Sequence, residues 1–117
     1  MKYLLLIHHV EGLDPVLRAQ LLNESVQYCH ELNRNGQYID AAPLHPSSET
    51  ISVTVRDGKR LITDGPFAET REQIGGFFMV EARNIEEAVE IAGKLPSARI
   101  GTVEVRPVTF VEGLPEV

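Results

Sequence analysis

Two adjacent histidines and one aspartate are the side chains in this sequence best suited to acid/base chemistry. His8 and His9 end an apolar run that begins at Tyr3, and Asp64 ends another predicted strand. A histidine gains and loses a proton near neutral pH, and a carboxylate beside it can orient its ring. Because neighbouring side chains on a strand point to opposite faces, only one of the two histidines can enter any one cavity. His9 shares its face with Tyr3 and Leu5, so His8 is expected at the surface or facing a helix.

Four further side chains are candidates for contact with a substrate: Glu11, His45, Phe67 and Arg71. Glu11 follows the first strand, and His45 lies on a proline-flanked loop. The guanidinium of Arg71 could pair with an anionic substrate or with Asp64. Phe67 is better explained as a packing anchor than as a ring that stacks on a substrate. Equal candidates for the role of Arg71, on the polar faces of their strands, are Arg56 and Arg106.

The turn Asp64-Gly65-Pro66 also has a purely structural explanation, which we favour. Aspartate can close a turn with its own carboxylate, glycine can take a positive φ, and proline ends strand pairing. The functional alternative is that the same rigid turn holds the Asp64 carboxylate at the mouth of a cleft. Both can hold at once. No pair of histidines and carboxylates here shows a recognised metal-ligand spacing, so we expect no metal.

Length, composition and net charge indicate a single-domain protein that does not bind nucleic acid directly. A chain of 117 residues with 43% hydrophobic content is enough for one domain, 1–117, with one core. The net charge of −6, from 17 acidic and 11 basic side chains, argues against direct nucleic-acid binding, which needs clustered lysine and arginine.

A cytoplasmic location is expected from the single cysteine and from the amino-terminal run. Cys29 has no partner for an internal disulfide, which suits a reducing compartment. It belongs to an apolar helix stripe and is expected to be a packed thiol. The apolar run that ends before His8 is too short for a signal peptide or a membrane span, so we expect no membrane association.

The order of predicted elements is strand, helix, strand, hairpin, strand, helix, strand. Asp14-Pro15 starts the first helix and Asn35-Gly36 ends it, while Asn84 caps the second helix and Pro96 lies beyond its end. Asp57-Gly58 is a hairpin turn. The strands are predicted at 3–9, 37–42, 51–56, 59–63, 75–81 and 102–106. The apolar stripe of the first helix is Val16, Ala19, Leu22, Val26, Cys29 and Leu32.

This order predicts an α+β, ferredoxin-like sandwich, with both helices on one face of a mostly antiparallel sheet. Two helices cover only one face. The first strand and residues 77–80 are nevertheless apolar on both faces, so we expect a second copy to bury part of the other face as a homodimer.

The block from Asp64 to Gly76 resembles the signature of the YCII-related (DGPF) family. Four other segments resemble that family in the same order, so the similarity extends over nearly the whole chain: 1–7, 41–46, 55–58 and 103–107. The resemblance implies a subunit that pairs into a dimeric α/β barrel. It also implies a small enzyme that works through a histidine and an aspartate, for which alignment favours His9 with Asp64.

One branch of the family eliminates chloride from a chlorinated hydroxyquinone, and other members are encoded near sigma factors. The chain departs from the family at Val10, where an acidic residue is common and Glu11 supplies the carboxylate one position later. Two hypotheses follow. The first is a cofactor-free lyase or isomerase acting on a small molecule in a cavity between subunits. The second is a non-catalytic ligand-binding or accessory protein, associated with a sigma factor.

Overall fold

A four-stranded antiparallel sheet with two helices on one face forms the body of the protein. The computed structural model describes residues 1–116. Its strands are β1 Lys2–His9, β2 Tyr38–Pro43, β3 Ile51–Arg56, β4 Lys59–Asp64, β5 Gln73–Glu81 and β6 Gly101–Pro107, and its helices are α1 Pro15–Arg34 and α2 Ile85–Gly93. The order in the sheet is β2-β5-β1-β6, with every neighbouring pair antiparallel. This is the ferredoxin-like sandwich that the sequence predicts.

The core lies between the sheet and the two helices. Tyr3, Leu5 and Ile7 point from β1 towards the helices, and Phe78 and Val80 point the same way from β5. The helices contribute Tyr28, Leu32, Ala88 and Ile91. The Tyr28 hydroxyl donates to the Ile91 carbonyl oxygen at 3.1 Å and so links α1 to α2. Burial raises the pKa of this phenol to about 12, which keeps it a hydrogen-bond donor.

The ends of α1 follow the predicted signals. The Asp14 carboxylate accepts the amide hydrogens of Val16 and Leu17, each at 3.2 Å, and Pro15 occupies the first turn. Gly36 lies just beyond the other end with a positive φ of 71°. No helix within residues 1–116 is both long and apolar enough to cross a bilayer.

The apolar stripe of α1 is only partly core. Of the predicted stripe only Leu32 is buried, while Val16 and Ala19 are exposed. Leu22, Val26 and Cys29 line a cavity between the helix and the sheet. The other buried side chains of α1, Leu21 and Tyr28, lie outside the predicted stripe. The helix therefore separates from the sheet towards its amino-terminal end.

The start of α2 contains a modified capping box. The Asn84 side chain accepts the Glu87 amide hydrogen at 2.9 Å, as predicted. The Glu87 carboxylate, however, accepts from the Arg83 amide at 3.2 Å, one residue earlier than in the standard box. After α2, Pro96 begins a short 3-10 helix, Pro96–Arg99.

The other face of the sheet, here called the open face, is covered by no helix or strand of residues 1–116. Its centre is the half-buried apolar set Leu4, Leu6, Phe77 and Met79, and its edge on β6 is the polar row Thr102, Glu104 and Arg106. His8 lies on this face and its Nε2 contacts the Glu104 carboxylate. Of the two alternatives for His8, a helix-facing position is wrong, because the helices cover the odd-numbered side of β1; its side chain lies partly exposed on the open face.

Residues 51–64, here called the arm, form a separate two-stranded sheet made of β3 and β4. Asp57 and Gly58 have positive φ of 50° and 73°, as a two-residue hairpin turn requires. Two hydrogen bonds hold the base of the arm: the Gly65 amide donates to the Thr50 carbonyl oxygen, and the Ser52 hydroxyl to the Gly65 carbonyl oxygen, each at 2.7 Å.

Leu5→Ala tests the proposed centre of the core. Leu5 is 0% exposed, so the cavity left behind should lower the free energy of unfolding by about 2–5 kcal/mol in urea denaturation. Leu17→Ala, at a more exposed leucine on α1, is the control and should lower the free energy of unfolding much less. Equal losses in the two variants would contradict this description of the core.

Candidate functional site

A cavity of about 780 Å³ lies between α1 and the helix-facing side of the sheet. Its walls are mostly apolar and include Ile7 and Phe78 from the sheet and Leu22 and Val26 from α1. The polar groups around it are few, and His9 is among them. A mainly apolar cavity of this size with a few convergent polar groups is typical of a small-molecule site.

The His9 ring is fixed in one orientation. Its Nδ1 lies 2.9 Å from the Val10 carbonyl oxygen. Because a carbonyl oxygen only accepts, Nδ1 carries the proton in this bond and Nε2 is the free acceptor of the neutral ring. Nε2 makes no hydrogen bond to any of residues 1–116, so a proton acceptor is available at the cavity.

Two glycines on neighbouring strands make room for His9. A methyl group added at Gly75 would collide with Nε2 of His9 and would lie 2.8 Å from its Cδ2. On the other side, Gly101 allows close approach of the β1 backbone, since a methyl group added there would collide with the His8 carbonyl oxygen and would lie 3.0 Å from the His9 Cβ. Gly75 is also the extra residue of a β-bulge, since Ile7 pairs with Gly76 and the next residue of β1 pairs with Ile74. Bulges of this kind re-aim side chains near functional sites.

Glu11 joins the loop after β1 to the 3-10 helix Ser47–Glu49. Its carboxylate accepts the Ser47 amide hydrogen at 2.7 Å and also the Ser47 hydroxyl hydrogen. Both hydrogen bonds lower the pKa of the Glu11 carboxyl, and the bond from the hydroxyl has the larger effect. The nearby His9 ring lowers this pKa further. Glu11 also lines the cavity, so a carboxylate that stays ionised shares it with His9.

Three other polar side chains around the cavity differ in what they can do. Burial raises the pKa of the Cys29 thiol, which makes it a packing group rather than a nucleophile, as expected. His45 is exposed, and its Nδ1 lies 3.2 Å from the Glu49 carboxylate. Arg18 lines the cavity from α1 and has no acidic partner within residues 1–116, so it can pair with an anionic group of a ligand.

The structure does not bring Asp64 to His9 within one protomer. Asp64 ends β4 opposite Ile51, is exposed, and lines neither this cavity nor the second one described below. The residues that line the His9 cavity all come from one protomer. Phe67 is 96% exposed, so the expectation that it anchors the turn by packing is wrong for the isolated protomer.

Arg71 lines a second, more polar cavity of about 350 Å³. Its other walls come from the turn after β4 and from the 3-10 helix, including Gly65, Pro66, Ser47 and Ser48, and Glu11 separates it from the first cavity. Arg71 forms no ion pair with the acidic side chains of residues 1–116.

Arg18 and Gly101 were not predicted from the sequence. The pair Gly75-Gly76 does predict a close approach where its strand begins, and in the structure the His9 ring lies against Gly75. Within residues 1–116 no three histidine, cysteine, aspartate or glutamate side chains are grouped so as to hold a metal ion.

A family model for the YCII-related domain matches residues 1–112. The chain belongs to that family. A curated relative, an uncharacterized protein of Rhizobium meliloti (strain 1021), is 36% identical over 82 residues. That match covers 63% of this chain and 66% of the relative, which is just under two thirds of its length.

A solved structure of similar fold is the 5-chloro-2-hydroxyhydroquinone dehydrochlorinase (TftG) from Burkholderia phenoliruptrix AC1100, in complex with 2,5-dihydroxybenzoquinone. The TM-score is 0.58, the identity is 14%, and the match covers 96% of this chain and 97% of that one. The similarity establishes a shared fold for the YCII-related chain.

Gly75→Ala should displace the His9 ring. The added methyl group overlaps the ring position, so the imidazole signals of His9 should shift in two-dimensional NMR while the fold persists. Gly93→Ala is the control, because a methyl group there meets no atom within 4 Å. Unchanged His9 signals in Gly75→Ala would contradict the proposed contact.

Ser47→Ala should raise the pKa of the Glu11 carboxyl, which carboxyl carbon NMR can follow. Because this pKa is lowered in the folded state, the bond stabilises the fold above the pKa of Glu11 in the unfolded chain. The contribution disappears as the pH falls through the folded-state value. Ser47→Ala should therefore lower the free energy of unfolding at neutral pH. In acid, where Glu11 is protonated, the variant and the wild-type chain should differ less in stability. Ser48→Ala, at a serine without a bond to Glu11, should show no such pH dependence.

Proposed function

We propose that this YCII-related protein is a cofactor-free enzyme of the lyase or isomerase type, acting on a small cyclic molecule in the cavity beneath α1. The observation that carries the proposal is the His9 ring, whose Nδ1 is held by Val10 while Nε2 is free at the cavity. A fixed tautomer with a free acceptor nitrogen is what a general base requires.

The proposed chemistry is proton transfer at Nε2 of His9. This nitrogen removes a proton from a carbon or hydroxyl group of the substrate, and the resulting imidazolium returns it to the product or the leaving group. The ionised Glu11 carboxylate stabilises the imidazolium, since its charge is of opposite sign. Arg18 pairs with an oxyanion of the substrate. The apolar walls limit access of water to the reacting atoms.

The fold comparison supports a hydroxylated ring as the substrate class. The dehydrochlorinase of similar fold acts, by its name, on a chlorinated hydroxyquinol and was solved with a dihydroxybenzoquinone. Elimination of hydrogen chloride needs a proton acceptor, the role proposed for His9. A single six-membered ring also suits a cavity of about 780 Å³.

We further propose that the protein forms a homodimer through the open face. Leu4, Leu6, Phe77 and Met79 form an apolar surface at the centre of the sheet that no element of the protomer covers. Asp64 can act with His9 only if a second protomer delivers it, so the proposed centre within one protomer consists of His9 and Glu11.

His9→Gln should reduce kcat/KM by roughly 10²–10⁴-fold, the usual contribution of a general base. The assay is a panel of chlorinated and chlorine-free hydroquinones, followed by chloride release and ultraviolet absorbance. His30→Gln, at an exposed histidine of α1, is the matched control and should retain full activity. Turnover that is unchanged in His9→Gln would contradict the proposed base.

A non-catalytic ligand-binding or accessory role, including association with a sigma factor, is the second candidate. The separation of Asp64 from His9 favours it, because the expected catalytic pair is not assembled in one protomer. Tight binding of the panel compounds without any turnover would support this alternative. A cytoplasmic location stays a prediction under either hypothesis.

A further inference from the structure

The arm, residues 51–64, has almost no support from its own protomer. Its two strands pair only with each other, and all six residues of β4 are exposed. An isolated two-stranded hairpin is marginally stable in water. The radius of gyration is 16.1 Å, whereas a compact chain of this length has about 13 Å. The arm is therefore an extended projection that needs cover from elsewhere.

One side of the arm is an apolar surface. The antiparallel register places Val53 directly opposite Ile62, with Ile51 and Val55 next to them on the same side. Val53 is 59% exposed and Ile62 is 56% exposed. A contiguous group of exposed β-branched side chains of this kind marks a surface that packs against another molecule.

The arm also differs in charge from the rest of the chain. Arg56, Lys59 and Arg60 lie near its tip and have no acidic partner within residues 1–116. With Asp57 in the turn and Asp64 at its base, the arm carries a formal net charge of +1, from three basic and two acidic side chains. The chain as a whole carries a net charge of −6.

The open face carries slightly more acidic than basic side chains, namely Asp40, Glu81 and Glu104 against Lys2 and Arg106. The arm and the open face are both apolar and carry small net charges of opposite sign, so they are complementary in both respects.

We propose that the arm of each protomer packs across the edge of the open face of a second copy, in a reciprocal exchange. Two identical copies can satisfy both arms and both faces at once, since a two-fold axis makes each contact occur twice. This inference rests on the proposed homodimer and adds to it the surface that completes the interface.

The size of the interface favours participation of the arm. The open face consists of alternate residues of four strands that have six to nine residues each, which is fewer than the about 20–30 residues that a standard interface uses from each partner. The side chains on the apolar side of the arm add to this number.

The test is the dimer dissociation constant, measured by analytical ultracentrifugation, for the wild-type chain and three variants. The double variant Val53→Thr, Ile62→Thr keeps β-branched residues in both strands and removes the apolar surface. Val89→Thr, at a valine of α2 that is 53% exposed, is the control. The arm variant should raise the dissociation constant by at least about tenfold, as expected for central interface residues, and the control should not.

A charge variant separates loss of the contact between copies from unfolding of the hairpin. Lys59→Glu, Arg60→Glu leaves the apolar surface unchanged, and it should also weaken the dimer while making its affinity less sensitive to salt. In a mixture of ¹⁵N-labelled and unlabelled wild-type chains, carbodiimide should link Lys59 to a carboxylate bordering the open face of the other copy, which mass spectrometry detects as mixed-isotope pairs.

A wild-type dimer that none of the arm variants weakens, or links of Lys59 confined to its own chain, would overturn the arm contact and leave the open-face dimer standing. A wild-type chain that is monomeric at all concentrations would overturn both the arm contact and the open-face dimer. The same holds if the monomeric chain co-purifies with an acidic protein bound to the arm.

Discussion

The alternation of side chains along β1 is the constraint on which the rest of this structure depends. Because the two helices cover the side that holds Tyr3, Leu5 and Ile7, every odd position of the strand belongs to the core or its extension. His9 is the next odd position, and it reaches the cavity where α1 diverges from the sheet. His8 must then lie on the open face, beside Glu104. The alternation of side chains along β1 therefore places the two adjacent histidines on opposite faces of the sheet.

The cavity exists because the apolar surface of α1 exceeds what the core can absorb. Tyr28 and Leu32 pack in the core, while Leu21, Leu22 and Val26 line the cavity. Burying these side chains fully would favour a closed core by the hydrophobic effect. The link between Glu11 and Ser47 instead ties the loop after β1 to the 3-10 helix that follows β2. Helix α1 thus contributes both to the stability of the core and to the volume of the cavity.

The fold could be predicted because its signals are local. Asp14-Pro15, Asp57-Gly58 and Asn84 each fix a turn or a helix end within a few residues, and the structure places all three as expected. The site was harder to predict. Parity shows which side chains share a face but not which face the helices cover, so it left two alternatives for His8. Phe67 was misjudged because what a turn residue packs against depends on distant parts of the fold.

The bulge at Gly75 sets the directions of the side chains along β5. The extra residue offsets the alternation of the strand, since positions on either side of it pair with β1 in different registers. Phe78 and Val80, beyond the bulge, follow the alternation that fills the core. Gln73 and Ile74, before it, follow the other register. A single glycine thereby lets one strand serve the core at one end and the cavity wall at the other with independent side-chain directions.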